Sequence, residues 1–235
     1  MPATTNVPDA LVIAGCLSGE RDDAGVAALV DELASAVGAG TVVRARTGGR
    51  PVGPSLSDVL AGLRSGGARR VLVATTHVVN GRLQQETAAA VDVAAPGFDK
   101  LRLAPPLLAG EADHAAVAAA LDEAVPALPG RRVAFAGHRG SECEVTFSQL
   151  ERALIERGRG DVLVGPPDRL RALLRERRER TILLAPLLMS LGHHARHDVL
   201  EGLARDLSAQ TWPHSLAELP AIRALVVAHV RKELS

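Results

Sequence analysis

The sequence has very few aromatic residues: Phe, Trp and Tyr together make up 2% of its 235 residues, and Tyr is absent. Proteins that bind single-stranded nucleic acids stack the bases on aromatic rings, so this composition argues against that class. The apolar residues still reach 47%, which is enough for a substantial core. That core must be built mainly from Ala, Val, Leu and Ile, which suit buried parallel strands covered by helices.

The chain also has no net charge, few cysteines and no long apolar run. The 27 basic residues balance 27 acidic ones, so no positive excess draws the chain to nucleic acid or to an anionic membrane. The two cysteines, Cys16 and Cys143, lie far apart, which is typical of free thiols in a reducing compartment. No apolar run approaches about 18 residues, and residues 1–9 do not resemble a signal peptide. We therefore expect a cytoplasmic protein without a membrane span.

Short β-rich runs alternate with helical stretches along the chain. The buried strands with the strongest signals are predicted at residues 10–14, 70–75, 132–136 and 181–185. Such alternation predicts parallel sheets with right-handed crossovers. A segment with Pro and Gly at 126–130 separates two cycles of similar rhythm. We predict an α/β fold of two similar lobes, residues 1–128 and 129–235, each a parallel sheet flanked by helices, with a cleft between them.

Histidines follow several of the predicted strands. They are His77, His138, His193, His194 and His197. Open α/β sheets bind ligands beyond the carboxyl ends of their strands, which is where these side chains are expected. Neutral imidazole is the commonest metal ligand and suits Co, Ni, Fe and Zn. A single loop histidine is more often solvated or hydrogen-bonded, whereas three imidazoles within five residues favour a metal or substrate site.

The cysteines are weaker candidates for chemistry. Cys16 follows the first strand, but a small buried residue is its commoner role. Cys143 lies between Glu142 and Glu144, whose carboxylates raise the pKa of the thiol and disfavour a thiolate nucleophile. These two glutamates are either solvated loop charges or a source of metal-attracting charge close to His138.

Several motifs occur in an order that resembles the class II chelatases, and among them the anaerobic sirohydrochlorin cobalt chelatases. They are residues 77–81 (HVVNG), 105–108 (PPLL), 135–138 (FAGH), 185–189 (APLLM), 192–198 (GHHARHD) and 218–222 (ELPAI). The second-half motifs are the more specific, because their spacing and residue types agree together. The resemblance implies two α/β lobes around a tetrapyrrole cleft. It also implies ATP-independent insertion of Co²⁺ into sirohydrochlorin, a step of cobalamin biosynthesis.

The resemblance also implies roles for particular residues. The family holds its metal with two histidines and a glutamate, and motif matching places the histidines at His138 and His194. These two would serve both as metal ligands and as acceptors of the pyrrole protons. Residues 82–84 (RLQ) stand where the family has its glutamate. Glu86, three residues after Leu83, is the predicted third ligand because both side chains lie on one helical face.

The carboxylates and the flat apolar middle of the macrocycle favour basic and aliphatic contacts. The predicted substrate-binding residues are His77, Arg82, Leu83, Arg139, Met189, Leu191, His193, Arg196 and His197. The metal is expected as a substrate, Co²⁺ first, with Ni²⁺, Fe²⁺ and Zn²⁺ as alternatives, and no nucleotide is expected. The other alternative is a diverged chelatase fold that binds metal or tetrapyrrole without turnover. A homo-oligomer is compatible with the sequence.

Overall fold

The computed structural model of the chain describes residues 7–15, 24–48, 53–176, 181–192 and 201–235. The strands are β1 (Ala10–Gly15), β2 (Thr41–Arg46), β3 (Arg70–Thr75), β4 (Lys100–Leu103), β5 (Arg131–Ala136), β6 (Val162–Gly165), β7 (Thr181–Pro186) and β8 (Gln210–Thr211). They form two four-stranded sheets of parallel strands, in the orders β2-β1-β3-β4 and β6-β5-β7-β8. The second sheet thus repeats the order of the first, which confirms the prediction of two similar α/β lobes.

Helices connect the strands and cover the sheets. They are α1 (Ala24–Val37), α2 (Leu56–Ser65), α3 (Arg82–Ala94), α4 (Glu111–Ala124), α5 (Glu144–Glu156), α6 (Pro167–Glu176), α7 (Ala204–Leu207) and α8 (Pro220–Lys232), with short 3₁₀ turns at Ala95–Gly97, Ser141–Cys143 and Leu216–Glu218. Within the described ranges, no helix is long and apolar enough to cross a bilayer.

In both lobes, an equivalent backbone hydrogen bond continues the pairing of the two central strands past the end of the later strand. The amide of Thr76 donates to the carbonyl of Ala14 at 3.0 Å, and the amide of Leu187 donates to the carbonyl of Ala136 at 2.8 Å. In each lobe, therefore, the chain leaving the third strand stays against the end of the first strand. This is the point where the strand order reverses, and ligands of open α/β sheets bind there.

One hydrophobic cluster is shared by the two lobes. It contains Leu11 of β1, Phe135 of β5 and Val226 of α8, all of which are buried. The last helix also makes polar contacts with the first lobe. Arg223 Nε donates to Glu32 Oε1 of α1 at 2.7 Å, and His229 Nε2 lies 2.9 Å from Asp113 Oδ1 of α4. Because this interface is mainly apolar and continuous, we expect the two lobes to unfold together.

The division at residues 128 and 129 falls in the connection between α4 and β5. The two sheets lie on either side of it in sequence. The last helix, however, returns from the second lobe to pack on α1 and α4 of the first lobe. The predicted boundary thus separates the two sheets, but α8, which follows the boundary in sequence, packs on the first lobe. The division into residues 1–128 and 129–235 stays a prediction.

Candidate active site

The candidate site lies at the carboxyl ends of β5 and β7. Gly137 follows β5, and a Cβ there would lie 2.4 Å from Cζ of Phe147. The ring of Phe147 is buried directly against this glycine, so any larger residue would displace it. His138 is the next residue and its side chain is exposed. The turn therefore places the imidazole outside the core, at the position where the strand order of the second lobe reverses.

The segment after His138 contacts the first lobe at the start of α3. A Cβ on Gly81 would lie 3.1 Å from Cys143 Sγ and 3.6 Å from Glu142 Oε1. The backbone amide of Arg82 is 3.4 Å from the same Glu142 oxygen. Gly81 is the N-cap of α3 and provides no side-chain cap. The glycine of the 77–81 motif thus permits a close approach between the lobes, and Glu142 meets the amino end of α3.

Cys143 is a buried core residue. Burial raises the pKa of its thiol to about 11, and the charge of Glu142 adds to this shift. The prediction that Cys143 is not a thiolate nucleophile is consistent with this environment, although burial rather than the neighbouring carboxylates is the larger cause. Cys16, the other cysteine, lies outside the described residues.

Glu86 and Arg82 form an ion pair on the outer face of α3. Arg82 Nη1 lies 2.7 Å from Glu86 Oε1, and the two side chains are 71% and 53% exposed. A surface pair of this kind contributes about 0.3–0.5 kcal/mol, so either partner can leave it at small cost. The assignment of Glu86 as a metal ligand stays a prediction.

His77 is buried, and each of its ring nitrogens lies within hydrogen-bonding distance of another side chain. Nε2 lies 2.9 Å from Thr47 Oγ1, and Nδ1 lies 2.8 Å from Gln84 Oε1. The amide nitrogen of Gln84 is 3.5 Å from the carbonyl of Ala104, which identifies Oε1 as the acceptor and Nδ1 of His77 as the protonated nitrogen. Burial lowers the pKa of His77, against a smaller opposing effect of the Gln84 hydrogen bond.

This placement makes His77 a neutral link between the end of β2, the end of β3 and the start of α3. As the ring lies here, neither nitrogen faces a ligand, so its assignment to substrate binding stays a prediction without support from the geometry. Sequence reasoning missed Gln84 as its partner. The buried residues of α3 are Gln84, Thr87 and Val91, and their helical spacing was a signal that Gln84 faces inward.

The other predicted substrate contacts differ in accessibility. Met189 is 3% exposed and belongs to the shared core, so contact with a macrocycle would require its uncovering. Leu191 is half-buried. Leu83 is half-buried and packs on Gly48, where a Cβ would lie 2.5 Å from Leu83 Cδ2. Arg139 is largely exposed, with its Nε 3.5 Å from Asp168 Oδ2.

The histidine-rich segment lies outside the described residues. Its predicted site residues are His193, His194, Arg196 and His197. In the ranges that the structure does describe, no three His, Cys, Asp or Glu side chains converge to hold a metal ion. Because His194 is outside those ranges, the ligand set of His138, His194 and Glu86 stays a prediction.

The known sequences that this chain is similar to are those of chelatases. The family described as "Cobalt chelatase (CbiK)" matches residues 53–234 of the chain. A sirohydrochlorin cobaltochelatase of Salmonella typhimurium is 28% identical over 194 residues, which cover 76% of this chain and 74% of that protein.

Solved structures of chelatases share the fold. The sirohydrochlorin chelatase SirB of Bacillus subtilis subspecies spizizenii, in complex with cobalt, gives a TM-score of 0.66 at 14% identity, covering 95% of this chain and 94% of SirB. CbiX, described as the terminal enzyme for biosynthesis of siroheme in denitrifying bacteria, gives a TM-score of 0.65 at 18% identity, covering 97% of this chain and all of CbiX (100%). At these identities the likeness establishes the two-lobed architecture.

Proposed function

The chain belongs to the cobalt chelatase (CbiK) family of class II metal chelatases, and from this membership we propose that it inserts Co²⁺ into sirohydrochlorin without ATP. The observation that carries the proposal is the placement of His138. This residue of the matched region has an exposed imidazole where the strand order of the second lobe reverses. Proteins of this architecture bind their ligands at that position.

The reaction requires groups that bind a metal and accept protons. One divalent ion enters the macrocycle, and two pyrrole N–H protons leave it. Neutral imidazoles can serve both purposes near pH 7, because a ring that releases the metal can accept a proton. We assign these roles to His138 and His194. The third ligand is a carboxylate, for which Glu86 is the sequence-based prediction.

Basic residues at the rim would bind the carboxylates of the macrocycle. The side chains of Arg82 and Arg139 are 71% and 63% exposed, and each pairs with an exposed carboxylate, Glu86 and Asp168 respectively. Such pairs are weak and exchange readily for a substrate carboxylate. Arg196 is the third predicted rim residue. The half-buried side chain that follows β7, Leu191, is the aliphatic residue best placed to contact the apolar face of the ring.

Cobalt is the proposed ion, in a cytoplasmic step of cobalamin biosynthesis. The name of the Salmonella relative and the cobalt complex of SirB support this choice. Imidazole ligands also suit Ni²⁺, Fe²⁺ and Zn²⁺, and which ion is bound in the cell depends on geometry and metal supply as well as on affinity. Competition among equimolar ions in the insertion assay would measure the preference directly.

The test is the absorbance change as Co²⁺ enters sirohydrochlorin under anaerobic conditions. We expect turnover by the wild-type chain and a loss of about 100-fold or more in kcat/KM for His138→Ala, because one ligand and proton acceptor is removed. His214→Ala is the matched control, since His214 is half-exposed and pairs with Glu218 after the edge strand β8, two strands from β5. Its activity should stay within about twofold of wild type.

Two results would contradict the proposal. One is full activity of His138→Ala. The other is a wild-type chain that binds Co²⁺ and sirohydrochlorin but produces no metallated product, which would make the protein a carrier with a chelatase fold.

A further inference from the structure

We propose that Glu142 is the carboxylate ligand of the metal ion, in place of both the family glutamate and Glu86. The proposal rests on the proposed function, because the ion is taken to be the Co²⁺ that His138 binds. It explains how residues 82–84 can lack the family glutamate in a chain that keeps the histidine motifs.

The Glu142 carboxylate lies close to the segment that follows His138. Gly140 has a φ of +140°, and a Cβ there would lie 2.6 Å from Glu142 Oε1 and 2.7 Å from Oε2. The carboxylate therefore folds back over the backbone two residues after His138. A Cβ at residue 140 would require this exposed carboxylate to move. In the structure, the carboxylate lies beside the segment that carries the imidazole.

Glu142 also lies close to the start of α3. Glu142 Oε1 lies 3.4 Å from the amide of Arg82, the first residue of the segment where the family has its glutamate. Gly81, which precedes it, would place a Cβ only 3.6 Å from the same oxygen. The carboxylate of the second lobe thus lies against the backbone from which the family glutamate would project. The positive amino end of a helix without a side-chain cap also attracts an anion to this place.

Glu86 and Glu142 differ in their surroundings. Glu86 lies on the outer face of α3, with a guanidinium at 2.7 Å. Glu142 is exposed, and its carboxylate lies 3.4 Å from the amide of Arg82. Glu142 lies beside both the segment that follows His138 and the start of α3, so it is the better placed ligand of the two.

The experiment titrates the full-length protein with Co²⁺ alone and follows affinity together with the visible absorption bands of the bound ion. We expect Glu142→Gln to lower the affinity about tenfold or more and to change the bands, because an oxygen ligand is lost. Glu86→Gln should change the affinity less than about twofold. Glu144→Gln is the matched control: it removes the same charge two residues away, at an exposed position in the first turn of α5.

The proposal is overturned if Glu142→Gln binds Co²⁺ as the wild type does, if Glu144→Gln loses as much affinity, or if Glu86→Gln alone loses it. Thermal unfolding of each variant separates loss of a ligand from loss of structure. The proposed function fails separately, through a wild-type chain that binds Co²⁺ without inserting it. A wild-type chain that does not bind Co²⁺ would overturn both.

Discussion

At the scale of single residues, burial determines which histidines can do chemistry. His77 and His138 both follow strands of parallel sheets, yet one ring is enclosed and the other is exposed. His77 satisfies both nitrogens with Thr47 and Gln84, so it acts as a structural link in neutral form. His138 follows a glycine pressed against Phe147 and projects away from the core. The difference that the structure shows is the burial of His77 and the exposure of His138.

The neutral state of His77 predicts a pH dependence of stability. Burial lowers its pKa in the folded protein below the value of about 6.5 in the unfolded chain. The contribution of neutral His77 to the free energy of unfolding is therefore complete above about pH 6.5. It is lost as the pH falls towards the pKa of His77 in the folded protein, because the unfolded chain binds the proton more readily. The free energy of unfolding of the wild type, measured in urea, should decrease between pH 7.5 and 5.5.

The His77→Asn variant tests the origin of this decrease. We expect it to be less stable than wild type by about 1–3 kcal/mol at pH 7.5, since buried partners lose a hydrogen bond. The difference in the free energy of unfolding between wild type and variant should be smaller at pH 5.5. An equal difference at both pH values would show that His77 does not cause the pH dependence.

At the scale of elements, contacts between backbones decide where glycine is required. A Cβ on Gly25, near the start of α1, would lie 2.5 Å from both the carbonyl carbon of Ala217 and the amide nitrogen of Glu218. Two backbones cannot move apart as easily as a flexible side chain can. Gly25 therefore fixes the separation between α1 and the 3₁₀ turn that precedes α8.

The matched substitutions Gly25→Ala and Gly62→Ala should have opposite effects on stability. Gly25→Ala forces α1 from that turn and is expected to cost about 1–3 kcal/mol. Gly62 lies inside α2, and a Cβ there would have nothing within 4 Å, so alanine should add about 0.4–1 kcal/mol by restricting the unfolded chain. Urea unfolding measures both. Changes of the same sign would contradict this description of α1.

Local patterns predicted most elements but not their contacts. The strand predicted at 70–75 is β3, and the strand predicted at 132–136 lies within β5. β8 was missed, because a two-residue edge strand leaves no hydrophobic period. The approach of Ala217 to Gly25 joins residues almost two hundred positions apart, and no local rule can indicate it.

Only part of the candidate site could be predicted, because the rest depends on contacts between residues that are distant in sequence. Exposure of His138 after a strand follows from its pattern, whereas the hydrogen bonds of His77 depend on Thr47, thirty residues earlier. The contact of Glu142 with the amide of Arg82 depends on how the two lobes pack. The clustering of His193, His194 and His197 favoured a metal or substrate site, and the resemblance gave His194 its role as a ligand. Both stay predictions because residues 193–200 lie outside the described ranges.

At the scale of the whole molecule, the lobes share one core and the last helix packs against the first lobe. Asp113 of α4 accepts hydrogen bonds from the amides of Ala109 and Gly110 through Oδ2, while His229 of α8 contacts its Oδ1. Both Asp113 and His229 are buried. Loss of this carboxylate would leave several donors without partners and loosen α8 from α4.

We expect a single cooperative unfolding transition for the entire chain. Fluorescence of Trp212, the only tryptophan, reports on the second lobe, and far-UV circular dichroism reports on both. Their urea curves should coincide, and Asp113→Ala should shift both together by a loss of about 2–3 kcal/mol. Two separate transitions, or a shift in only one signal, would show that the lobes are independent.

The central claim is that the folded chain brings His138 and His194 to one metal ion. A crystal structure of the protein with Co²⁺, located by its anomalous scattering, measures this directly. We predict one ion with a ring nitrogen of each histidine at about 2.0–2.2 Å and a Glu142 oxygen completing the set. An ion bound elsewhere, or an ion bound by His194 with the His138 ring turned away, would contradict the account.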